Sequence, residues 1–228
     1  MNKVDGLHHL AICTGNMKSQ IRFFTEILGM ELVALYWMHG VANTWHGFLR
    51  LNDESSLAFV QNESIKEIPT QLGVTHAGNP AANCSPGTMQ HVALRVAGET
   101  ELLAMRDRLR SKGVPVLGPI DHGLCESIYF AGPENLSLEL SYSTQPIDAS
   151  AWIDPEVAQL AGISSDELET FTHPENYMDK AGGVAQPSLN SAGPHMGNYP
   201  NGEYTKLMNT PDEVILAASQ NQPPVSPG

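Results

Sequence analysis

Basic residues are scarce in this chain: 12 Lys and Arg stand against 25 Asp and Glu, a formal charge of −13 over 228 residues. A nucleic-acid backbone or an anionic membrane surface is bound through clustered Lys and Arg, so this balance argues against both as partners. Cysteine is scarce too. Cys13, Cys84 and Cys125 are too few and too scattered for a disulfide framework, and they read as small apolar residues. No apolar run approaches the ~20 residues that a membrane-spanning helix requires. The opening MNKVDGLHHLAI has no basic segment followed by a long apolar one, so no secretory signal is expected. A soluble, cytoplasmic protein is the expectation. What the chain does have is 41% hydrophobic and only 16% charged residues, which suits a packed core, and enough length for one substantial domain or two small ones.

A weak internal repeat organises the first two thirds. His9-Leu10-Ala11-Ile12 is matched 82 positions later by His91-Val92-Ala93-Leu94, and each reads as a histidine leading a short strand. A helical pattern follows in both copies. The first runs over Met17–Leu28, with Asn16 as N-cap, Ile21, Phe24, Ile27 and Leu28 on one stripe, and Gly29 at the C-terminal cap. The second runs over Thr100–Lys112 and stops at Gly113. Three strand-like runs then follow each helix: Glu31–Trp37, Thr44–Leu51 and Ser56–Gln61, then Val114–Leu117, Glu126–Ala131 and Ser137–Tyr142. Each copy therefore reads β-α-β-β-β, as a first module over residues 1–61 and a second over 89–145. Residues 62–88, rich in Pro, Gly, Asn and Thr, read as a linker, and residues 146–228 as a C-terminal extension. Within the extension, Asp154 to Leu168 predicts one or two short helices, with Pro155 in a first turn and Ser164/Ser165 starting the second. From about Pro174 the chain predicts an extended tail lying on the domain or on a neighbouring subunit, its last eight residues disordered.

Two histidines that open equivalent strands of a repeated module are placed to meet between the modules. Glu139, between Leu138 and Leu140 on the last strand, supplies a carboxylate that is costly to bury unless paired or bound to a cation. Strand alternation alone leaves Glu139 free to face solvent, and His91 alone reads as readily as a hydrogen-bonded core histidine. The metal reading rests on His9, His91 and Glu139 together.

At these residues the sequence resembles the vicinal oxygen chelate superfamily, which includes glyoxalase I, methylmalonyl-CoA epimerase, fosfomycin and bleomycin resistance proteins and type I extradiol dioxygenases. The resemblance spans roughly residues 6–143 and includes His8-His9-Leu10-Ala11-Ile12 and the phrase from Phe23 to Met30. It implies an α+β fold of two tandem βαβββ modules, forming a partly closed mixed β-barrel around a metal site. It also implies that His9, directly before the apolar run, is the ligand rather than His8. Glyoxalases and epimerases carry a fourth ligand on the last strand of the first module. That position falls on or near Ala58, and Gln61 would need a register shift of three that also reverses its face. Two histidines and one carboxylate remain, the facial triad suited to non-heme Fe(II).

The stretch from Ile120 to Asn135, continuing to Glu139, is similar to the extradiol dioxygenase signature, with His122, Tyr129, Pro133 and Glu139 in place. Gly132 and Asn135 depart from it, although Asn tolerates the left-handed conformation such a turn needs. The acid–base histidine of those enzymes falls on Ser55 or Ser56 here, with His46 and His76 as possible replacements. The resemblance implies an Fe(II) dioxygenase acting on a small aromatic diol or related enediol with dioxygen, His122 and Tyr129 serving as catalytic hydrogen-bonding groups. Mn, Zn, Ni or Co are the alternative metals, and a homo-oligomer is expected. The rival readings are a glyoxalase- or epimerase-like lyase or isomerase, and a metal-free small-molecule binding protein. Tyr36, Trp37 and Trp45 read as core or pocket wall, and His39, His173 and His195 as surface residues.

Overall fold

Both histidine-led apolar runs become strands, and both helical patterns become helices, because period-two and period-3.6 patterns alternate cleanly in each copy. The computed structural model describes residues 4–176 and 183–226. The first module runs β1 His9–Cys13, α1 Met17–Arg22, β2 Glu31–Trp37, β3 Trp45–Arg50 and β4 Ser56–Gln61. The second runs β5 Val92–Arg95, α2 Glu99–Ser111, β6 Leu117–Asp121, β7 Glu126–Ala131 and β8 Ser137–Tyr142. Asn16 caps α1 by accepting from the Ser19 amide at 3.0 Å. The helix then continues as a π-helical turn over Phe23–Ile27 and stops at Gly29, whose φ of +81° suits only glycine well.

The strands form two four-stranded sheets, ordered β1-β4-β3-β2 and β5-β8-β7-β6, with the outer pairs β1/β4 and β5/β8 parallel. The α+β class and the paired modules are as the sequence predicts. The two sheets are not closed into the expected partly closed barrel, because the strands of each pair only with one another. The strand expected at Val114–Leu117 instead runs from Leu117 to Asp121, through Pro119. An edge strand tolerates proline because one row of its amides needs no partner, and the pairing slips between Leu117 and Ile120.

Alternation sorts each sheet into two faces. Leu49, Leu57, Phe59, Ile128, Leu138 and Leu140 turn toward α1 and α2 and join one continuous core with Phe24, Leu102 and Leu109. Burying each such side chain contributes about 1.5–3 kcal/mol. The modules meet on this helical side. Phe23 stacks on Phe130, with ring centroids 6.5 Å apart. The Glu134 carboxylate accepts from Gln20 Nε2 and the Gly15 amide, each at 2.8 Å, and from the Thr14 hydroxyl. Arg108 on α2 donates to the carbonyls of Glu26 and Ile27. Glu134 and Asn135 both hold positive φ, 56° and 62°, so the turn keeps the left-handed conformation expected at Asn135.

The extension carries α3 Ala149–Trp152, α4 Pro155–Leu160 and α5 Ser165–Thr172, then α6 Glu203–Met208 and α7 Asp212–Ala217. Pro155 opens α4 and Ser164 starts α5, as predicted, and Glu167 closes a capping box with Ser164. Helices α6 and α7 fall where an extended tail is predicted. Of the last eight residues, 221–226 hold no helix or strand, and 227–228 lie outside the described residues. No helix among the described residues is long and apolar enough to cross a membrane.

Candidate functional site

The outer faces of the two sheets, turned away from the helices, carry the chemistry. On the second sheet Glu139 of β8 lies across from Ala93 on β5 and from Tyr129 on β7. β5 starts directly after His91. One face therefore gathers His91, Glu139, Tyr129 and Ser127, while Leu138, Leu140 and Ile128 turn to the core. Glu139 is only 4% exposed. His91 Nε2 stands 3.0 Å from Glu139 Oε2, and the Ser127 hydroxyl donates to Oε1 in a short hydrogen bond.

The other nitrogen of His91 is also held. Gln90 Nε2 donates to the carbonyls of Pro80 at 2.9 Å and Ala82 at 3.0 Å, which leaves its Oε1 to accept from His91 Nδ1. Donation from Nδ1 leaves Nε2 facing the Glu139 carboxylate. Two acceptors this close repel unless a proton or cation lies between them. The contact suits a shared proton, and the same two side chains would also suit a divalent cation, in which case Gln90 and Ser127 would orient them.

Tyr129 extends this cluster to His122, whose Nε2 lies 2.9 Å from the phenolic oxygen. Burial, and then the Glu139 charge, raise the Tyr129 pKa above the usual phenol value, so Tyr129 stays a hydrogen-bond donor through the neutral range. Trp152 of α3 packs over Gly123, next to His122, so the extension reaches the rim of this face.

His9 lies elsewhere, on the outer face of the first sheet. It is exposed, its Nδ1 is 2.9 Å from that of His8, and its ring is edge-on to Phe48 at 5.6 Å. Among the described residues, no three His, Cys, Asp or Glu side chains gather closely enough to hold a metal. The physical reason is the packing of the modules. They meet through the helical side, which leaves the two histidine-bearing faces on separate sheets.

Ser56 sits across from His9 on β4, and Ala58 across from Ala11. Gln61 is a structural group, accepting from the Met17 amide and donating to the Gly15 carbonyl. His76 bonds Thr75 and lines a cavity of about 790 Å³ with Cys13, Lys66, Met89 and Glu134. Tyr36 shares the outer face with His46, whereas Trp37 and Trp45 turn to the opposite one, beside a cavity of about 670 Å³ that also meets Met17, Ile21 and Pro224. His39 stands edge-on to Tyr36, while His173 pairs with Glu169 and His195 with Tyr204 at exposed positions.

His46, on β3, is 7% exposed, and its Nε2 is buried without a hydrogen-bond partner. Burial, and then the nearby His9, lower its pKa, so its imidazole is neutral at neutral pH. A buried polar group left unpaired costs about 1–3 kcal/mol. Gln90 and Ser127 were not singled out from sequence, although both had a signal: Gln90 directly precedes His91, and Ser127 stands two residues before Tyr129 on one strand.

A family model for the Glyoxalase/Bleomycin resistance protein/Dioxygenase superfamily matches residues 6–140. The chain belongs to this superfamily. The match spans both modules and stops one residue beyond Glu139, leaving the extension outside it. No curated protein matches the sequence. Among solved structures, a glyoxylase/bleomycin resistance protein/dioxygenase domain from Frankia sp. EAN1pec is 15% identical, with a TM-score of 0.48, over 62% of this chain and 99% of that one. TnmS3, an antibiotic binding protein from Streptomyces sp. CB03234, is 17% identical, with a TM-score of 0.44, over 62% and 98%. The fosfomycin resistance protein FosX from Listeria monocytogenes, complexed with Mn(II) and 1S,2S-dihydroxypropylphosphonic acid, is 17% identical, with a TM-score of 0.42, over 62% and 95%.

Proposed function

We propose that the chain is an extradiol-type dioxygenase that acts on a small aromatic diol or related enediol, with iron(II) held by His91, Glu139 and His9. The observation that carries this reading is the His91–Glu139 contact of 3.0 Å, with the second nitrogen of His91 tied to Gln90. Iron(II) bound there would supply charge stabilisation for a diol's oxygens and one-electron chemistry with dioxygen. The chain's own residues do the rest. Tyr129, kept protonated by burial and by Glu139, donates to a substrate oxygen and accepts from His122 across their 2.9 Å contact, with His122 as the acid or donor.

His9 completes the ligand set from a second copy of the chain, because within one chain it stands apart from the pair. Two further observations support a homo-oligomer. The accessible surface of 16459 Å² exceeds the roughly 10,000 Å² expected of a compact 24.7 kDa monomer, and apolar side chains of the extension such as Leu160 and Leu216 lie open. Three free thiols suit the cytoplasm, and the acidic balance suits a small-molecule substrate rather than nucleic acid.

The test is anaerobic purification, elemental analysis and dioxygen uptake over a panel of catechols. About one iron per chain with catechol-dependent uptake supports the proposal. Bound Mn, Zn, Ni or Co without uptake moves the reading to a lyase or isomerase. A chain that binds no metal and consumes no dioxygen contradicts it.

A further inference from the structure

The helical side of the first sheet carries an apolar cleft that the last residues of the chain reach. Trp37 and Trp45 are paired across β2 and β3, edge-on, with ring centroids 5.7 Å apart. Leu35, two residues before Trp37, shares their face, and α1 adds Met17 and Ile21. These side chains line a cavity of about 670 Å³. Gly47, paired with Leu35, makes room for the helix, since a Cβ there would stand 2.9 Å from Met17 Sδ. Trp45 packs against the core, but Trp37 is 66% and Leu35 52% exposed, and β2 is the outer strand of its sheet. An exposed apolar edge of this kind marks a contact surface. One wall of the cavity comes from the far end of the chain, at Pro224.

Pro224 belongs to the stretch Pro223-Pro224-Val225-Ser226-Pro227, and residues 219–226 hold neither helix nor strand. We propose that the Trp37–Trp45 cleft is a docking site for a proline-rich segment, and that its occupant is the C-terminal stretch of the same chain. Proline-rich segments dock in aromatic-lined grooves because their restricted backbone loses little entropy on binding. A proline also brings no amide N–H, so it covers an apolar wall without leaving a donor unmet. Set beside Trp37, it shields the outer strand of the sheet without adding a strand to it. Tethering holds the segment at an effective concentration on the order of millimolar, so a weak contact suffices. The cleft lies on the opposite face of the sheet from His9, so docking is independent of the chemistry at the metal face.

The experiment follows the three tryptophans of the full-length chain by fluorine NMR after labelling with fluorotryptophan, each resonance assigned by a Trp→Phe substitution. Wild type is compared with the double variant Pro223→Ser/Pro224→Ser. Both substituted residues are exposed, and Trp152, outside the cleft, serves as the internal control. The double substitution should shift the Trp37 and Trp45 resonances and leave that of Trp152 in place. A free peptide of residues 221–228, added to the variant, should return both resonances saturably, with a Kd on the order of 1 mM or below. The same peptide carrying the two serines should not. Unlabelled wild type mixed with the labelled variant should leave the shifted resonances where they are, because the occupant belongs to the same chain. Trp37 and Trp45 resonances that ignore the double substitution, that move no more than Trp152, or that the peptide does not return overturn the docking site. Equal binding of the two peptides overturns the recognition of proline. Return of the resonances on mixing with wild type overturns the assignment to the same chain and gives the occupant to a second copy.

Discussion

The outer faces of the two sheets share one frame and carry different chemistry. The second is polar and cross-linked: Gln90, His91, Glu139 and Ser127 hold one another, and Tyr129 bonds His122. The first is aromatic and loosely tied, with His9 exposed beside His8 and His46 buried with an unpartnered nitrogen. Repeating a βαβββ unit therefore repeats positions without repeating roles. One copy presents a preorganised carboxylate–imidazole pair, and the other presents an exposed histidine beside aromatic side chains. On the proposed reading neither face is sufficient alone, because a facial triad would need the imidazole and carboxylate of one and the histidine of the other.

The largest effect that sharpens this contrast is expected at Glu139. Glu139→Ala removes the carboxylate that touches His91, and it should abolish stoichiometric metal and lower kcat/KM by about three orders of magnitude or more. Elemental analysis and dioxygen uptake measure both. A smaller change is expected with Tyr129→Phe, which should retain metal and lower kcat by about 10²-fold, because a donor is lost while the ligands stay. Retained metal with unchanged kcat would mean that the tyrosine only fills space. Smaller again, Gln90→Ala frees His91 to rotate and should weaken metal affinity by about 10- to 100-fold, read by chelator competition. An effect of His8→Ala on metal affinity as large as that of Gln90→Ala would break the comparison, because it would make the first face as preorganised as the second.

Much of this arrangement was legible in the sequence, for reasons tied to particular residues. The strands after His9 and His91, the N-cap at Asn16, the stop at Gly29 and the helix start at Ser164 follow from local chemistry, and each is where the pattern puts it. The contact of His91 with Glu139 is readable because β5 and β8 are neighbours in the βαβββ order. What was not legible depends on relations between distant parts. The distance of His9 from the pair follows from how the modules dock, which Glu134, Gln20 and Arg108 set through contacts more than 80 residues apart in sequence. The π-helical turn after Arg22 and the slipped pairing around Pro119 arise from packing that no short window encodes. Helices α6 and α7 are masked in the sequence by the Pro, Gly and Asn residues around them.

The central claim is that one metal site draws His9 from one copy of the chain and His91 with Glu139 from another. Mixing His9→Ala chains with Glu139→Ala chains under conditions that exchange subunits tests it most directly, with dioxygen uptake on a catechol as the readout. Each variant alone should be inactive. In a randomly mixed dimer population half the dimers are hybrids, each with one intact site of two, so about a quarter of wild-type activity should return. If the mixture stays as inactive as its components while exchange is verified, the ligands do not come together across copies and the account fails.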